Sequence, residues 1–297
     1  MSLSHLDFLE AESIHIIREA VAETESPALL FSGGKDSAVL LHLAIKAFYP
    51  ETLPFPLLHI DTGHNFEEVI EFRDERVNTL GLRLMIGHVE DSIRRGTLVV
   101  KEGESRNAHQ STTLLETIEQ EKLTLLFGGA RRDEEKARAK ERVVSLRNVF
   151  GQWNPQQQRP ELWERYNFKH HPQEHLRVFP LSNWTELDIW TYIEQEKIKL
   201  PSLYFSHKRT VIPRKGLWVP LTPLTPVKPG EHAEEKQVRF RTVGDITCTC
   251  PVLSDAHTVQ DIITETQGIQ ISERGATRMD DQTSQASMEQ RKREGYF

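Results

Sequence analysis

Residues 28–41, ALLFSGGKDSAVLL, read as a short apolar strand, the loop SGGKDS and an apolar helix opening near Ser37. A strand that passes through glycines straight into a helix commits the chain to a layered α/β sheet. Gly33 and Gly34 let the backbone turn sharply and bring bare N–H groups near a ligand. The helix aims its unpaired N–H groups and its positive dipole end at the same point. Ser32 and Ser37 add hydroxyl donors, and Lys35 adds a mobile charge. This is the makeup of a phosphate cradle; the plainer alternative is a glycine turn that holds nothing. It is not the GxxxxGK[ST] loop, which has a longer run before its lysine.

Apolar spacing predicts helices over residues 6–20, 37–48, 66–80, around 114–118 and over 185–196. Gly81 is a stop signal for the third, and Thr185 with Asp188 forms a capping box for the last. Buried strands are predicted at 28–31, 57–60, 82–86, 123–127 and 176–181. Strands alternating with helices imply a doubly wound, mostly parallel sheet, with its site beyond the carboxyl ends of the strands. Three polar groups fall at such ends: SGGKDS, then DTGHN at 61–65, then GGARRDE at 128–134. Residues 90–111 are polar and carry few signals. Past residue 201 prolines crowd in and periodicity weakens. The expected organisation is therefore a nucleotide-binding catalytic domain over 1–200 and an irregular C-terminal extension over 201–297. From about residue 272 the composition is that of a disordered polar tail.

The 297 residues carry a formal net charge of −7, which argues against a nucleic-acid partner. No apolar run is long enough to span a bilayer, and the acidic amphipathic N-terminus does not read as a signal peptide. Two cysteines make no disulfide framework, so a reducing cytoplasm is the expected setting.

Arg131 and Arg132 stand beside a strand end, where their planar forks suit phosphate or sulfate oxygens. Lys136, Arg138 and Lys140 read instead as a solvated helix face, with Glu134 and Arg138 as an i,i+4 pair. Asp61 either helps position a nucleotide or magnesium, or caps the next helix with Thr62. Asp36 pairs with a basic group, turns toward magnesium, or simply favours the helix N-terminus. His59 reads as a satisfied core histidine, and His170, His171 and His175 as a solvated loop without zinc-ligand partners. Cys248 and Cys250 read as buried or incidental thiols.

SGGKDS resembles the pyrophosphate-binding loop of the PP-loop ATPase superfamily, whose members split ATP between its α and β phosphates. Together, SGGKDSAVLLHLA, FGGARRDEEKARAKERV, QRPELW, RVFPLSNWTELDIWTYI, VRFRTVG and SERG…SMEQRKREGYF resemble subunit 2 of bacterial sulfate adenylyltransferase. That resemblance implies an adenine-nucleotide α-hydrolase-like fold and AMP transfer from ATP to sulfate, yielding adenylyl sulfate and pyrophosphate. On this reading ATP is bound by Ser32, Gly33, Gly34, Lys35, Asp36, Ser37 and Asp61, with Mg²⁺ on the phosphates. Catalysis falls to Lys35, Arg131 and Arg132, and the partner is a larger GTPase subunit. It also makes the polar tail a family element. A reductase of the phosphoadenylyl-sulfate type is the runner-up; it needs a late nucleophilic cysteine, and none follows Cys250. A nucleotide-binding subunit without turnover is a third reading, which the intact Ser32, Lys35, Asp36 and Ser37 oppose.

Overall fold

The computed structural model describes residues 3–100, 106–134 and 138–268. The chain runs α1 (His5–Ala22), β1 (Pro27–Leu30), α2 (Lys35–Phe48), β2 (Leu57–Asp61), α3 (Glu67–Leu80) and β3 (Leu84–His88). It continues through α4 (Val89–Arg95), α5 (Arg106–Glu121), β4 (Leu125–Phe127), β5 (Val144–Arg147), β6 (His175–Val178) and α6 (Glu186–Glu196). The last elements are β7 (His207–Arg214), β8 (Leu217–Pro220), β9 (Glu234–Arg239), β10 (Val252–Leu253) and α7 (Val259–Gln267).

The first sheet has the order β3-β2-β1-β4-β6-β5, parallel except for β5. From β1 the chain steps outward to β2 and β3, then returns to the other side of β1 at β4. That reversal opens a crevice beyond β1 and β4, where ligands enter sheets of this kind. The strands are apolar on both faces because helices cover both. Leu29, Leu57, Leu125, Phe127, Leu176 and Val178 face the main core with α1, α2, α6 and α7. Ala28, Leu58 and Leu126 face the opposite side under Leu114 and Ile118 of α5.

Local chemistry agrees with the helix bounds. Ser4 with Asp7 and Thr185 with Asp188 form reciprocal capping boxes, and Gly81 ends α3 in the left-handed region at φ 63°. Strand β5 is an edge, and side chains cover it. Glu161 accepts the N–H groups of Val143 and Val144, and Gln158 accepts from Leu146 while donating back to its carbonyl.

The stretch past residue 201 is more regular than its composition implies. It holds an antiparallel sheet of order β10-β9-β7-β8. Prolines inside β7 and β8 (Pro213, Pro220), and charged residues on the exposed face, mask its alternation. Phe240, Leu203, Phe66 and Val69 pack it onto the front of α3. Helix α7 buries Ile262 and Ile263 in the main core. The polar stretch around residue 90 also holds structure, namely α4 and the start of α5. The tail from about 272 and Lys136 lie outside the described residues. No described helix is long and apolar enough to cross a membrane.

Candidate active site

A cleft of about 260 Å³ opens at the β1/β4 crevice. Ser32, Gly34, Lys35, Asp36 and Ser37 line one wall. Gly33 adopts φ 75°, and a Cβ there would lie 2.6 Å from Val69 Cγ1, so both the turn and the close packing require glycine. Gly34 is the N-cap of α2 and offers no side chain to satisfy the first turn. Other groups take part of that role. The Gly34 N–H donates to Ser32 Oγ at 3.3 Å, and the Lys35 N–H donates to the Tyr204 hydroxyl at 2.8 Å. Ser37 Oγ donates to the Gly34 carbonyl at 2.8 Å, which braces the loop.

Asp36 joins two of the three strand-end motifs. Lys35 Nζ donates to one of its oxygens at 2.9 Å, and Arg131 Nε donates to the other at 2.7 Å. Burial alone would raise the Asp36 carboxyl, but Arg131 and Lys35 outweigh it and hold the group below its ordinary value. Gly129 permits this approach, since a Cβ there would come within 3.1 Å of Asp36.

Arg131 is buried, with 1 % of its surface exposed, donates to Asp36, and does not line the cleft. Arg132 is directed away from the cleft: it donates to Asn183 Oδ1, and to the Glu141 carbonyl at 3.4 Å. Asp61 ends β2 outside the cleft lining and accepts the Gly63 N–H at 2.8 Å. The structure thus gathers Ser32, Gly34, Lys35, Asp36 and Ser37 at one wall, with Arg131 behind Asp36, and leaves Arg132 and Asp61 outside.

His59 is buried as a core histidine would be, but it lines the cleft, and only one of its ring nitrogens is satisfied among the described residues. Its Nδ1 lies 2.8 Å from the Phe31 carbonyl, which can only accept, so the proton sits on Nδ1. Burial first, then Arg73, lowers its affinity for a second proton. Cys248 and Cys250 are both buried and form no disulfide. Two expectations fail. His175 is the first residue of β6 and is buried, because its side chain turns inward beside β5. Arg138 is likewise buried; it lines the cleft and pairs with Glu134 at 3.3 Å.

The opposite wall comes from the segments just before and after the strands of the second sheet and was not legible as a site. Tyr204, Thr242, Val243, Gly244 and Asp245 all line the cleft. Asp245 is fully buried and accepts the Thr62 hydroxyl at 2.7 Å, and the Ile246 N–H donates to the His64 carbonyl at 2.9 Å. These bonds lock the segment after RFRT onto the DTGHN loop. The one available signal was a glycine and an aspartate following a strand.

The phosphoadenosine phosphosulfate reductase domain family matches residues 26–251. A protein of Mycolicibacterium vanbaalenii named sulfate adenylyltransferase subunit 2 is 60% identical, over 99% of this chain and 95% of its own length. One of the same name from Mycobacterium tuberculosis is 58% identical over the same shares. Among solved structures, phosphoadenylyl-sulfate reductase from Candida auris is 17% identical, with a TM-score of 0.44, over 68% of this chain and 92% of that one. FMN adenylyltransferase from Candida glabrata in complex with ATP is 14% identical, with a TM-score of 0.46, over 94% and 91%. The near-complete coverage and the identity to its named relatives make this chain a member of the sulfate adenylyltransferase subunit 2 family, within the wider phosphoadenosine phosphosulfate reductase domain family.

Proposed function

We propose that the chain transfers AMP from ATP to sulfate, as its relatives' name states for them, in the first step of sulfate activation. The observation that carries this reading is the cradle at residues 32–37, which faces a cleft at the sheet's reversal point. The β and γ phosphates lie against the amide groups at the start of α2, with Lys35 offsetting their charge. A sulfate oxygen bonds to the α-phosphorus as the bond to the bridging oxygen breaks, and pyrophosphate leaves with that electron pair. Sulfate is already a dianion, so no base removes a proton. The difficulty is to bring two anions together, and placement with cationic compensation answers it.

Arg131 acts through Asp36 in this reading, as a positioning residue. Asp36 and Asp245 face the cleft with Ser37, a donor set that suits magnesium, which takes few carboxylates besides phosphates. When bound, the ion would neutralise charge on the pyrophosphate. Residues 1–200 form the catalytic unit of the 1–200 and 201–297 division, and Tyr204 with residues 242–245 of the extension supplies its second wall. The companion is a GTPase subunit, and two cysteines without a bridge fit a cytoplasmic setting. Buried cysteines do not suit the reductase alternative, which needs an accessible thiolate.

The test is pyrophosphate release from ATP with and without sulfate, by the chain in complex with its companion. Release that ignores sulfate would overturn the assignment.

A further inference from the structure

The ladder between β1 and β2 stops one rung early, and a side chain stands where the next bond belongs. In this parallel pair Leu29 lies beside Leu57 and Leu30 beside Leu58. The Leu29 N–H donates to the Pro56 carbonyl at 3.0 Å, and the Phe31 N–H to the Leu58 carbonyl at 2.8 Å. Bonds in a parallel pair are evenly spaced, so the Ile60 N–H should donate next, to the Phe31 carbonyl. That bond is absent among the described residues. The Phe31 carbonyl accepts His59 Nδ1–H instead, at 2.8 Å.

Ile60 is thereby left with a bare peptide edge. Leu57 turns its backbone toward β3, donating to the Arg83 carbonyl at 2.9 Å, and the pleat turns Leu58 and Ile60 toward β1. At Ile60, β1 has already left the sheet for the loop at Ser32. Neither the N–H nor the carbonyl of Ile60 meets a partner among the described residues on that side. Ile60 lines the cleft with Leu30, Leu58 and Leu114, and these four pack as one apolar cluster under α5. Alternation sends the His59 ring to the other face with Leu57, where it is 2 % exposed.

The cradle therefore shares its cleft with an apolar wall that carries one open N–H and one open carbonyl. A purine has apolar faces and a polar edge. Adenine sets the acceptor N1 beside the donor N6 amino group, the complement of the N–H and carbonyl of one extended residue. Hypoxanthine reverses both, with an accepting O6 and a donating N1–H. We propose that His59 is a positioning residue for base selection: by holding the Phe31 carbonyl it keeps the Ile60 peptide open to read the adenine edge. The proposal rests on the nucleotide reading of the cleft, and His59 itself touches no substrate. A buried peptide left bare is costly, and adenine removes that cost where hypoxanthine leaves like groups facing one another.

The experiment compares His59→Leu with His59→Asn in the complex with the companion subunit. The two side chains have the same shape, so the lost packing is common to both, but only Asn has an N–H where Nδ1 stood. Dissociation constants for ATP and inosine triphosphate are measured by calorimetry without sulfate. His59→Leu should lower the preference for ATP about tenfold or more, and His59→Asn should stay within about threefold of wild type. Equal losses for the two nucleotides, or a preference unchanged in His59→Leu, would mean that His59 serves the core alone and overturn the proposal. If His59→Leu does not fold, hydrogen exchange at the Ile60 amide of the wild-type complex decides. ATP should protect it, and tripolyphosphate, which fills the cradle without a base, should not; equal effects overturn the proposal. Pyrophosphate release is followed in parallel. The expected binding results with no sulfate-dependent release would overturn the adenylyl-transfer reading and leave the role of His59 standing.

Discussion

Tyr204 accepts the Lys35 backbone N–H at 2.8 Å, so a side chain from beyond residue 200 holds the first amide of the phosphate-loop helix. Its ring is buried and meets the Trp190 ring edge-on, with centroids 5.6 Å apart. Tyr204→Phe keeps that packing and removes the acceptor. The buried Lys35 N–H then loses its partner, at a cost of about 1–3 kcal/mol. The expected result is a lower melting temperature together with weaker ATP binding by calorimetry. ATP affinity equal to wild type would mean that the contact does not shape the cradle.

Gly33→Ala tests the turn itself. The new methyl meets Val69 Cγ1 at 2.6 Å, and φ 75° is left-handed. For an alanine that backbone costs roughly 1–2 kcal/mol. Adding Val69→Ala removes the collision but not the backbone cost. The double variant should therefore recover part of the stability lost on urea unfolding, and only part of the ATP affinity. Full recovery would show that the left-handed backbone carries no cost.

Lys35→Ala and Ser37→Ala should each weaken ATP and pyrophosphate binding, by about 1.5–3 kcal/mol for the charge-assisted contact of Lys35. Unchanged affinity in both would remove the phosphate-cradle assignment.

The parallel sheet and the glycine turn after its first strand were legible because the local signals agree. Strand 27–30 is apolar, the glycines follow at once, and α2 is periodic to its end. The second sheet was hidden for a physical reason. Strands β7 and β9 expose one face and lay charged residues along it, so they resemble a polar extension until β8 and β10 pair with them. Arg131 and Arg138 show the limit of reading charge without burial. Both are surface residues by type, yet both are buried, one behind Asp36 and one at the cleft. Both meet a carboxylate, Arg131 at Asp36 and Arg138 at Glu134, and the fold alone says which of them lines the cleft.

The buried histidines give a signed pH dependence. His59 and His175 are held below the ordinary imidazole value, chiefly by burial and further by Arg73 and Arg177. In the unfolded chain each takes up a proton near pH 6.5, while the folded chain keeps both neutral, so the unfolded state binds more protons in acid. Their contribution to stability is complete above about pH 6.5 and is lost as pH falls from there toward the folded values. Urea unfolding across that range should show it. His175→Asn should make the decline shallower by up to one proton, and an unaltered slope would exclude His175 as a source.

The last prediction concerns direction rather than rate. The sulfate–phosphate anhydride of the product is a higher-energy bond than the one broken in ATP. The equilibrium of the proposed reaction therefore lies toward ATP, and no arrangement of residues in the cleft moves it. Residues 32–37 are the proposed phosphate loop of this chain, and no GxxxxGK[ST] run for a second nucleotide occurs in it. On the proposed reading, the second energy source enters through the companion subunit. In the complex, GTP should raise the final yield of adenylyl sulfate and not only the speed of reaching it. A non-hydrolysable GTP analogue should leave the yield at its value without GTP. If the chain alone, without pyrophosphatase, reaches the same yield as the complex with GTP, the coupling does not exist.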